Sequence, residues 1–355
     1  MELPVKRLDF TGQKFFVGID VHKKSWKVTV RNQGMGLKTF SMNPSPSDLY
    51  KYLATTYPNG KYISVYEAGF CGFWIHRSLT TFGITSIVIN PADVPTSHKE
   101  KDRKSDAIDS NKLCRELENG SLKGLYIPEQ SHEAVRSLSR LWYQTTRLQT
   151  QQKNRIKSFL DFKGIKLPEP YATTGSWSRP FLMMLSKLSF AESSDNFVFN
   201  EHLANLNHIR TNRLKYLRQI RKAVKDIPTV RLLQTIPGVG SIVSFIIYCE
   251  IVDMHRFKKL DHLLSFVGLV PSVSSSDTTM IVRGITNRHN RYLRYALIET
   301  AWVAIREDPA LLAAFSELCK RMSKSAAIVR IAKKLTNRIR AVWLKQQEYV
   351  KGTIE

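Results

Sequence analysis

The sequence predicts an α/β domain followed by all-α structure. Over residues 12–125, short apolar or alternating segments separated by turn residues predict a mixed sheet with flanking helices. Over residues 126–227, long amphipathic stretches with a narrow apolar seam predict a helical coiled-coil arm. Residues 228–355 are predicted to form a mostly helical C-terminal domain. A chain of 355 residues is long enough for domains that each bury a core.

In the first domain, residues 15–19 form an apolar run that ends at Asp20, and residues 26–30 alternate as a half-buried strand does. Turn residues at 32–34 then predict a third strand before residue 41. The further predicted elements are a helix over 45–57, a strand over 62–66, a helix over 73–82, a strand over 85–89 and a helix over 105–117. This order, β-β-β-α-β-α-β-α, is typical of a mixed sheet with helices packed against it.

The arm is predicted from two helical stretches. Residues 133–160 carry apolar side chains at helical spacing, and Gly164 with the prolines after it ends the stretch. Residues 195–224 follow with a basic outer face. The pair is interpreted either as an arm that sets oligomer geometry or as an ordinary helical hairpin. In the last domain, residues 326–345 predict a helix with an apolar stripe and a basic opposite face.

Charge indicates the partner. Lysine and arginine number 54 against 30 acidic residues, a net charge of +24, which favours nucleic acid over a merely soluble basic protein. The four cysteines are scattered without a CxxC pair, so neither a zinc site nor a disulfide framework is expected. With no signal peptide and no long apolar segment visible, we expect a cytoplasmic protein without a membrane partner.

Four carboxylates are candidates for a metal site: Asp20, Glu67, Asp106 and Asp109. Asp20 and Glu67 each end an apolar strand, and Asp106 and Asp109 share one face of a helix. Hard divalent cations prefer oxygen ligands, and two such ions can clamp the attacking and leaving oxygens of a phosphodiester. The set therefore predicts a catalytic site for two Mg²⁺ ions, whereas each acid taken singly is an ordinary surface acid. His22 is interpreted as a neighbour rather than a ligand.

A second candidate region is a polar serine loop over 268–277, followed by a basic segment whose arginines can hold a phosphate. Upstream, the turn at Gly238 and Gly240 is similar to a helix-hairpin-helix backbone binder, with amides facing a phosphate at a helix N-terminus. Each segment alone is equally well explained as an ordinary loop or turn. The residues predicted to bind nucleic acid are Lys104, Gly238, Gly240, Arg283, Arg288, Arg291, Arg294, Lys333 and Arg338.

With these motifs the chain resembles the bridge-RNA-guided insertion-sequence transposases of the IS-one-ten type, whose relatives include pilin-gene invertases. Residues 18–23, 67–69, 90–92 and 104–109 are similar to the family's RuvC-like, RNase H-related domain with its DEDD acid set. Residues 236–240, 268–271 and 291–294 are similar to its transposase domain. The family's nucleophilic serine corresponds to Ser276. Asp277 and His289 stand where the family usually has glycine, so Ser275 stays open as the alternative.

The resemblance implies a recombinase in which Ser276 attacks the scissile phosphate and becomes covalently joined to DNA, while Mg²⁺ held by Asp20, Glu67, Asp106 and Asp109 assists. It also implies donor and target DNA, a non-coding guide RNA and a homo-oligomer, a dimer or tetramer. Three alternatives stay open: a site-specific DNA invertase with the same chemistry, a RuvC-like nuclease that only hydrolyses, and a nucleic-acid-binding protein without catalysis.

Overall fold

The computed structural model describes residues 8–95, 106–169, 171, 177–276 and 279–351, with the backbone alone for residues 273–276 and 279–283. The chain divides into two compact units, residues 1–127 and residues 128–355. The predicted arm and the predicted C-terminal domain both lie in the second unit.

The first unit is built on a five-stranded mixed sheet. Its strands are β1 (Lys14–Val21), β2 (Trp26–Asn32), β3 (Met35–Met42), β4 (Lys61–Glu67) and β5 (Thr85–Ile89). They lie in the order β3-β2-β1-β4-β5. The pairs β1–β2 and β2–β3 are antiparallel, and the pairs β1–β4 and β4–β5 are parallel. The mixed sheet predicted from the sequence is confirmed.

Helices cover both faces of this sheet. They are α1 (Pro46–Thr56), α2 (Trp74–Thr81) and α3 (Asp106–Glu118), and a short 3-10 turn spans Pro91–Asp93. Alternate residues of each strand point to opposite faces. Phe15, Val17 and Ile19 of β1 therefore join the core that contains α1 and α2. On the other face, β4 and β5 share a core with α3.

Gly18 of β1 permits the closest contact between the sheet and α3. A Cβ placed on Gly18 would lie 2.2 Å from the Ser110 carbonyl oxygen and 2.6 Å from the Cys114 backbone nitrogen. Two hydrogen bonds fix the helix over the strands. The Cys114 thiol donates to the Phe16 carbonyl at 3.0 Å, and the Ser110 hydroxyl bonds the Thr29 hydroxyl at 2.9 Å. Helix α3 therefore rests its backbone directly on β1.

The second unit is mostly helical, as predicted. Its helices are α4 (Gln130–Phe162), α5 (Arg179–Leu185), α6 (Ser193–Val224), α7 (Pro228–Leu233), α8 (Ser241–Ile251), α9 (Leu260–Val267), α10 (Arg291–Glu307), α11 (Pro309–Cys319) and α12 (Lys324–Lys345). The main core lies among α7 to α12. No helix in the described part of the chain is long and apolar enough to cross a membrane.

Helices α4 and α6 form an antiparallel pair, here called the arm. At one end, Ile156 and Leu160 of α4 pack with Phe199 and Leu203 near the start of α6. At the other end, the first turns of α4 pack with the last turns of α6 and with α8. At 1.5 Å per residue, each long helix extends roughly 50 Å. Coiled-coil geometry for this pair stays a prediction.

Buried Glu250 joins the base of the arm to the core. Arg140 of α4 binds both of its carboxylate oxygens, at 2.9 and 3.0 Å. Arg136 approaches the same carboxylate to 4.0 Å, and the Asn290 side-chain amide donates to it at 2.9 Å. Asn290 also caps α10, accepting from the Tyr292 and Leu293 amides. One carboxylate thus connects α4, α8 and the start of α10.

The predicted serine loop is wrong in its secondary structure. Residues 271–276 and 279–285 form the two strands of an antiparallel hairpin, β6 (Pro271–Ser276) and β7 (Thr279–Ile285). The small polar residues that suggested a loop are compatible with a two-stranded ribbon, because such a ribbon does not require an apolar face. The apolar residues of β7, at 280–282, were the available strand signal.

We predict that Gly18→Ala destabilises the first unit. The new methyl group would overlap the α3 backbone, and such overpacking costs about 2 kcal/mol or more. Thermal and urea unfolding of the full chain would measure the loss. Gly36→Ala is the matched control, because its Cβ would meet only the Arg31 guanidinium at 3.6 Å. Equal stability of the two variants would contradict the tight contact.

Candidate functional site

Asp20 and Glu67 end neighbouring parallel strands. The β1–β4 register pairs Gly18 with Val65 and Ile19 with Tyr66, so Asp20 and Glu67 come next on the two strands. By strand alternation both project on the face that α3 covers. Because α3 begins at Asp106, its first turn lies at the same edge of the sheet. The topology thus brings the four predicted acids to one edge.

Three side chains meet there. The His22 Nε2 atom lies 3.1 Å from Asp20 Oδ2 and 3.6 Å from Asp106 Oδ1. One ligand atom from each of Asp20, His22 and Asp106 lies within 4.8 Å of the other two. Among the described residues, Glu67 and Asp109 contribute no atom to this group. Glu67 is exposed and Asp109 is half-buried one turn into α3.

The electrostatics of Asp20 suit a cation. Burial raises the pKa of the Asp20 carboxyl, His22 opposes that shift, and Asp106 and Asp109 raise the pKa further. A raised pKa means that the ionised form is the costly one in the folded protein. A divalent cation beside these carboxylates would stabilise that form. Two carboxylates and an imidazole are a donor set that fits a divalent metal ion.

His22 is the site residue that sequence reasoning set aside. It follows the β1 strand in the turn before β2, where its amide donates to the Ser25 carbonyl at 3.2 Å. The available signal was its spacing of two residues from Asp20, which places both side chains on one face of an extended segment. Next to it, the Lys23 ammonium lies 5.9 Å from the centroid of the exposed Phe70 ring.

The serine segment lies at the closed end of the β6–β7 hairpin. Ser276 is the last residue of β6 and pairs with Thr279, and Ser275 pairs with Met280. Asp277 lies outside the described residues. Arg283 lies on β7 opposite Ser272. The structure therefore places the candidate nucleophile at the tip of a ribbon.

The open end of the hairpin is held tightly. The Arg294 guanidinium donates to the Thr286 carbonyl and lies against Gly268, where a Cβ would be 2.4 Å from it. Burial lowers the pKa of Arg294. Gly268 has a φ of 84°, which favours glycine, and ends α9 in the left-handed conformation. Arg294 was predicted to bind nucleic acid, and here it braces the hairpin.

The Gly238 turn makes its hydrogen bonds within the protein. The Gly238 amide donates to the Glu307 carboxylate at 2.9 Å, and the Gly240 amide donates to the Gly238 carbonyl at 3.2 Å. Gly238 has a φ of 77°, and a Cβ there would be 2.8 Å from the Thr300 carbonyl oxygen. The turn therefore packs closely against α10, and a phosphate contact by its amides stays a prediction.

The remaining predicted nucleic-acid contacts differ in exposure. Arg288 and Arg291 are exposed near the start of α10, whereas Lys333 is half-buried on α12. The Arg338 guanidinium donates to buried Asp308 at 2.9 Å and also to the Tyr349 hydroxyl. Lys104 lies outside the described residues. The role of these residues in binding stays a prediction.

Comparison with known proteins gives two family matches. Residues 17–164 match the DEDD transposase family of IS110, and residues 230–317 match a family described as "Transposase IS116/IS110/IS902 family". The first match includes Asp20, Glu67, Asp106 and Asp109. The second match includes the Gly238 turn and the whole hairpin.

Individual relatives extend over most of the chain. Protein y4rJ of Sinorhizobium fredii is 26% identical and covers 90% of this chain and 89% of its own length. The transposase for insertion sequence element IS1111A of Coxiella burnetii is 25% identical, covering 77% of this chain and 75% of its own. The transposase for insertion sequence element IS1533 of Leptospira borgpetersenii is 26% identical, covering 68% and 70%.

We predict that Asp20→Asn abolishes stabilisation by divalent cations. In chelator the variant should melt at the same temperature as the wild type or higher, because the carboxylate with the raised pKa destabilises the folded state at neutral pH. Adding millimolar Mg²⁺ or Mn²⁺ should raise the melting temperature of the wild type only. Asp48→Asn, at an exposed acid of α1, is the control and should keep the metal response. An undiminished metal response in Asp20→Asn would refute the site.

Proposed function

We propose that this chain is an RNA-guided DNA recombinase of the IS110/IS116 transposase family, a proposal that the two family matches support. In this proposal it cuts and rejoins DNA through a serine–DNA covalent intermediate. The observation that carries the proposal is the convergence of Asp20, His22 and Asp106 at one sheet edge, within the segment that matches the DEDD domain. The net charge of +24 supports a polyanionic substrate.

Asp20, His22 and Asp106 would hold a divalent cation, with Glu67 and Asp109 close by as further carboxylates. A divalent cation held there would supply charge neutralisation for the transferring phosphate and the leaving oxygen. The carboxylates orient the phosphate relative to the attacking group. We propose that the cation is Mg²⁺ and that two ions bind.

Ser276 is the proposed nucleophile. Its hydroxyl oxygen forms a bond to the scissile phosphorus, the bond from phosphorus to one DNA oxygen breaks, and the hydroxyl proton is released to a base. A DNA hydroxyl then attacks the same phosphorus and releases the serine. The covalent intermediate conserves one phosphoester bond throughout, so the strands rejoin without an external energy source.

The arginines after the hairpin would hold the phosphate during this exchange. Arg288 and Arg291 are exposed and close in sequence to the hairpin, and guanidinium groups bind phosphate oxygens bidentately. The serine and the carboxylates belong to different compact units. The proposal has both groups act on one phosphate, in one protomer or between protomers of a dimer or tetramer.

We predict that Ser276→Ala forms no covalent protein–DNA adduct. Wild-type protein mixed with labelled target DNA that carries a nick should give a slowly migrating band on a denaturing gel. The variant should still bind DNA, because it loses one hydroxyl and no charge.

Ser275→Ala is the matched control, one residue away on the same strand. Loss of the adduct in Ser275→Ala, with the adduct retained in Ser276→Ala, would move the nucleophile by one residue. No adduct in an active wild type would favour attack by water or a DNA hydroxyl and would overturn the serine mechanism. Asp106→Ala should also stop recombination, and normal activity in that variant would refute the carboxylate site.

We predict that a discrete non-coding RNA copurifies with the protein. Sequencing the nucleic acid released from nuclease-treated, low-salt preparations should give one predominant species, and its binding should weaken steeply with salt. Recovery of random cellular RNAs in proportion to their abundance would contradict guidance by RNA. A recombinase or invertase whose protein recognises the DNA sequence would then remain.

A further inference from the structure

A cleft of about 440 Å³ lies on the arm, lined by residues of α4 and α6 and by Trp177 and Ser178 before α5. Its walls include two tryptophans and three cations. They are Trp142, Lys153, Trp177, Arg210 and Arg213. All five side chains are half-buried. This volume is in the range of sites that hold small molecules or single monomers of a polymer.

The indole rings and the cations are already arranged against each other. The Lys153 ammonium lies 5.5 Å from the centroid of the Trp177 ring. The Arg213 guanidinium lies 4.7 Å from the centroid of the Trp142 ring. The Trp177 ring also makes a T-shaped contact with the Phe181 ring, with the ring centroids 5.2 Å apart. The cleft therefore offers aromatic surfaces and positive charge in a fixed arrangement.

Within the described parts of the chain, no carboxylate lies within 4.0 Å of the cationic groups of Lys153, Arg210 or Arg213. Their hydrogen-bond partners are neutral: Arg210 donates to the Trp177 carbonyl at 3.0 Å, and Arg213 donates to the Gln149 side-chain oxygen. The Arg213 Nε atom is buried and has no hydrogen-bond acceptor among the described residues.

The assembly of like charges is costly without an anion. Burial lowers the pKa of Lys153, and Arg210 and Arg213 lower it further. The pKa of Arg213 is lowered by burial too. Both shifts mean that the charged forms are disfavoured in the isolated protein. A bound anion would reverse that cost, so the cleft is suited to a ligand with negative charge and a flat aromatic part.

We propose that this cleft binds an unpaired nucleotide of a single-stranded nucleic acid. The base would lie against the tryptophan rings, and its phosphate would contact Lys153, Arg210 and Arg213. Every base has a flat aromatic face, so stacking tolerates any sequence. A base inside a duplex is already stacked and paired, and therefore cannot enter. From the proposed function this inference takes only that the ligand is a nucleic acid. It gives the arm a direct part in binding that nucleic acid.

The test is equilibrium binding of the full chain in chelator, by fluorescence anisotropy. The probes are an unstructured labelled RNA of about a dozen nucleotides, single-stranded DNA of the same sequence, and the DNA duplex. Trp177→Leu should weaken single-strand binding roughly tenfold without changing its salt dependence, because it removes stacking only. Lys153→Gln should weaken binding and reduce the log–log salt slope by about 0.7, the value of one phosphate contact on a single strand.

Each variant has a matched control. Lys215→Gln removes the same charge from the exposed surface of α6, outside the cleft. Trp302→Leu removes a half-buried tryptophan that contacts Phe315 edge-on, as Trp177 contacts Phe181. Both controls should bind single strands within about twofold of wild type. Equal losses in variants and controls, or an equal loss for the duplex, would overturn the proposal.

Photocrosslinking with thiouridine or thiothymidine strands identifies the source of the nucleotide. A crosslinked peptide containing Trp142 or Trp177, with RNA stronger than DNA, assigns the cleft to RNA, and the reverse assigns it to a DNA strand. Crosslinks found only elsewhere would overturn the proposal. Because the assays need neither metal nor strand exchange, failure here leaves the recombinase proposal standing, and inactive recombination leaves this proposal standing.

Discussion

The contact between Gly18 and the α3 backbone is the constraint on which the first unit depends. A strand residue without a side chain lets the helix backbone rest on the sheet at van der Waals distance. That approach fixes how close α3 lies to β1, and the first residue of α3, Asp106, is a member of the acid group. A wider spacing would carry Asp106 away from Asp20 and His22. The packing of α3 against β1 therefore also determines where Asp106 lies relative to Asp20 and His22.

The same closeness creates a conflict of charge at the sheet edge. Asp20 is partly desolvated, and Asp106 and Asp109 add negative potential to it. Folding tolerates this because the conflict is confined to one edge, while the faces of the sheet bury apolar side chains. Local instability of this kind is common where a protein binds a cation, since the ligand restores the balance.

Much of this architecture could be predicted from periodicity. The alternation in β1 and β2 and the helical spacing of residues 133–160 are strong local signals, and both correspond to observed elements. The first strand of the hairpin could not be predicted in this way, because four of residues 272–276 are serines and a two-stranded ribbon buries little. His22 was set aside because its contact with Asp106 joins residues 84 positions apart, and no local pattern reports such a distance. The Arg294 contact with Thr286 could not be predicted either. An arginine in a basic segment suggests phosphate binding more readily than a hydrogen bond to a nearby backbone carbonyl.

The Glu250 junction has a mechanical consequence. Arg140 of the arm and the Asn290 side chain before α10 both donate to the buried Glu250 carboxylate. The Asn290 backbone amide also donates to the Phe266 carbonyl near the end of α9. Helix α9 precedes the hairpin in the chain and α10 follows it. Both ends of the hairpin are therefore anchored to the base of the arm. Beyond Arg140, α4 continues for 22 residues, roughly 33 Å, so the arm is a lever anchored at this junction. By this geometry, a small rotation at the junction would be amplified at the distal end of the arm, and a force on the distal end would be transmitted to the hairpin.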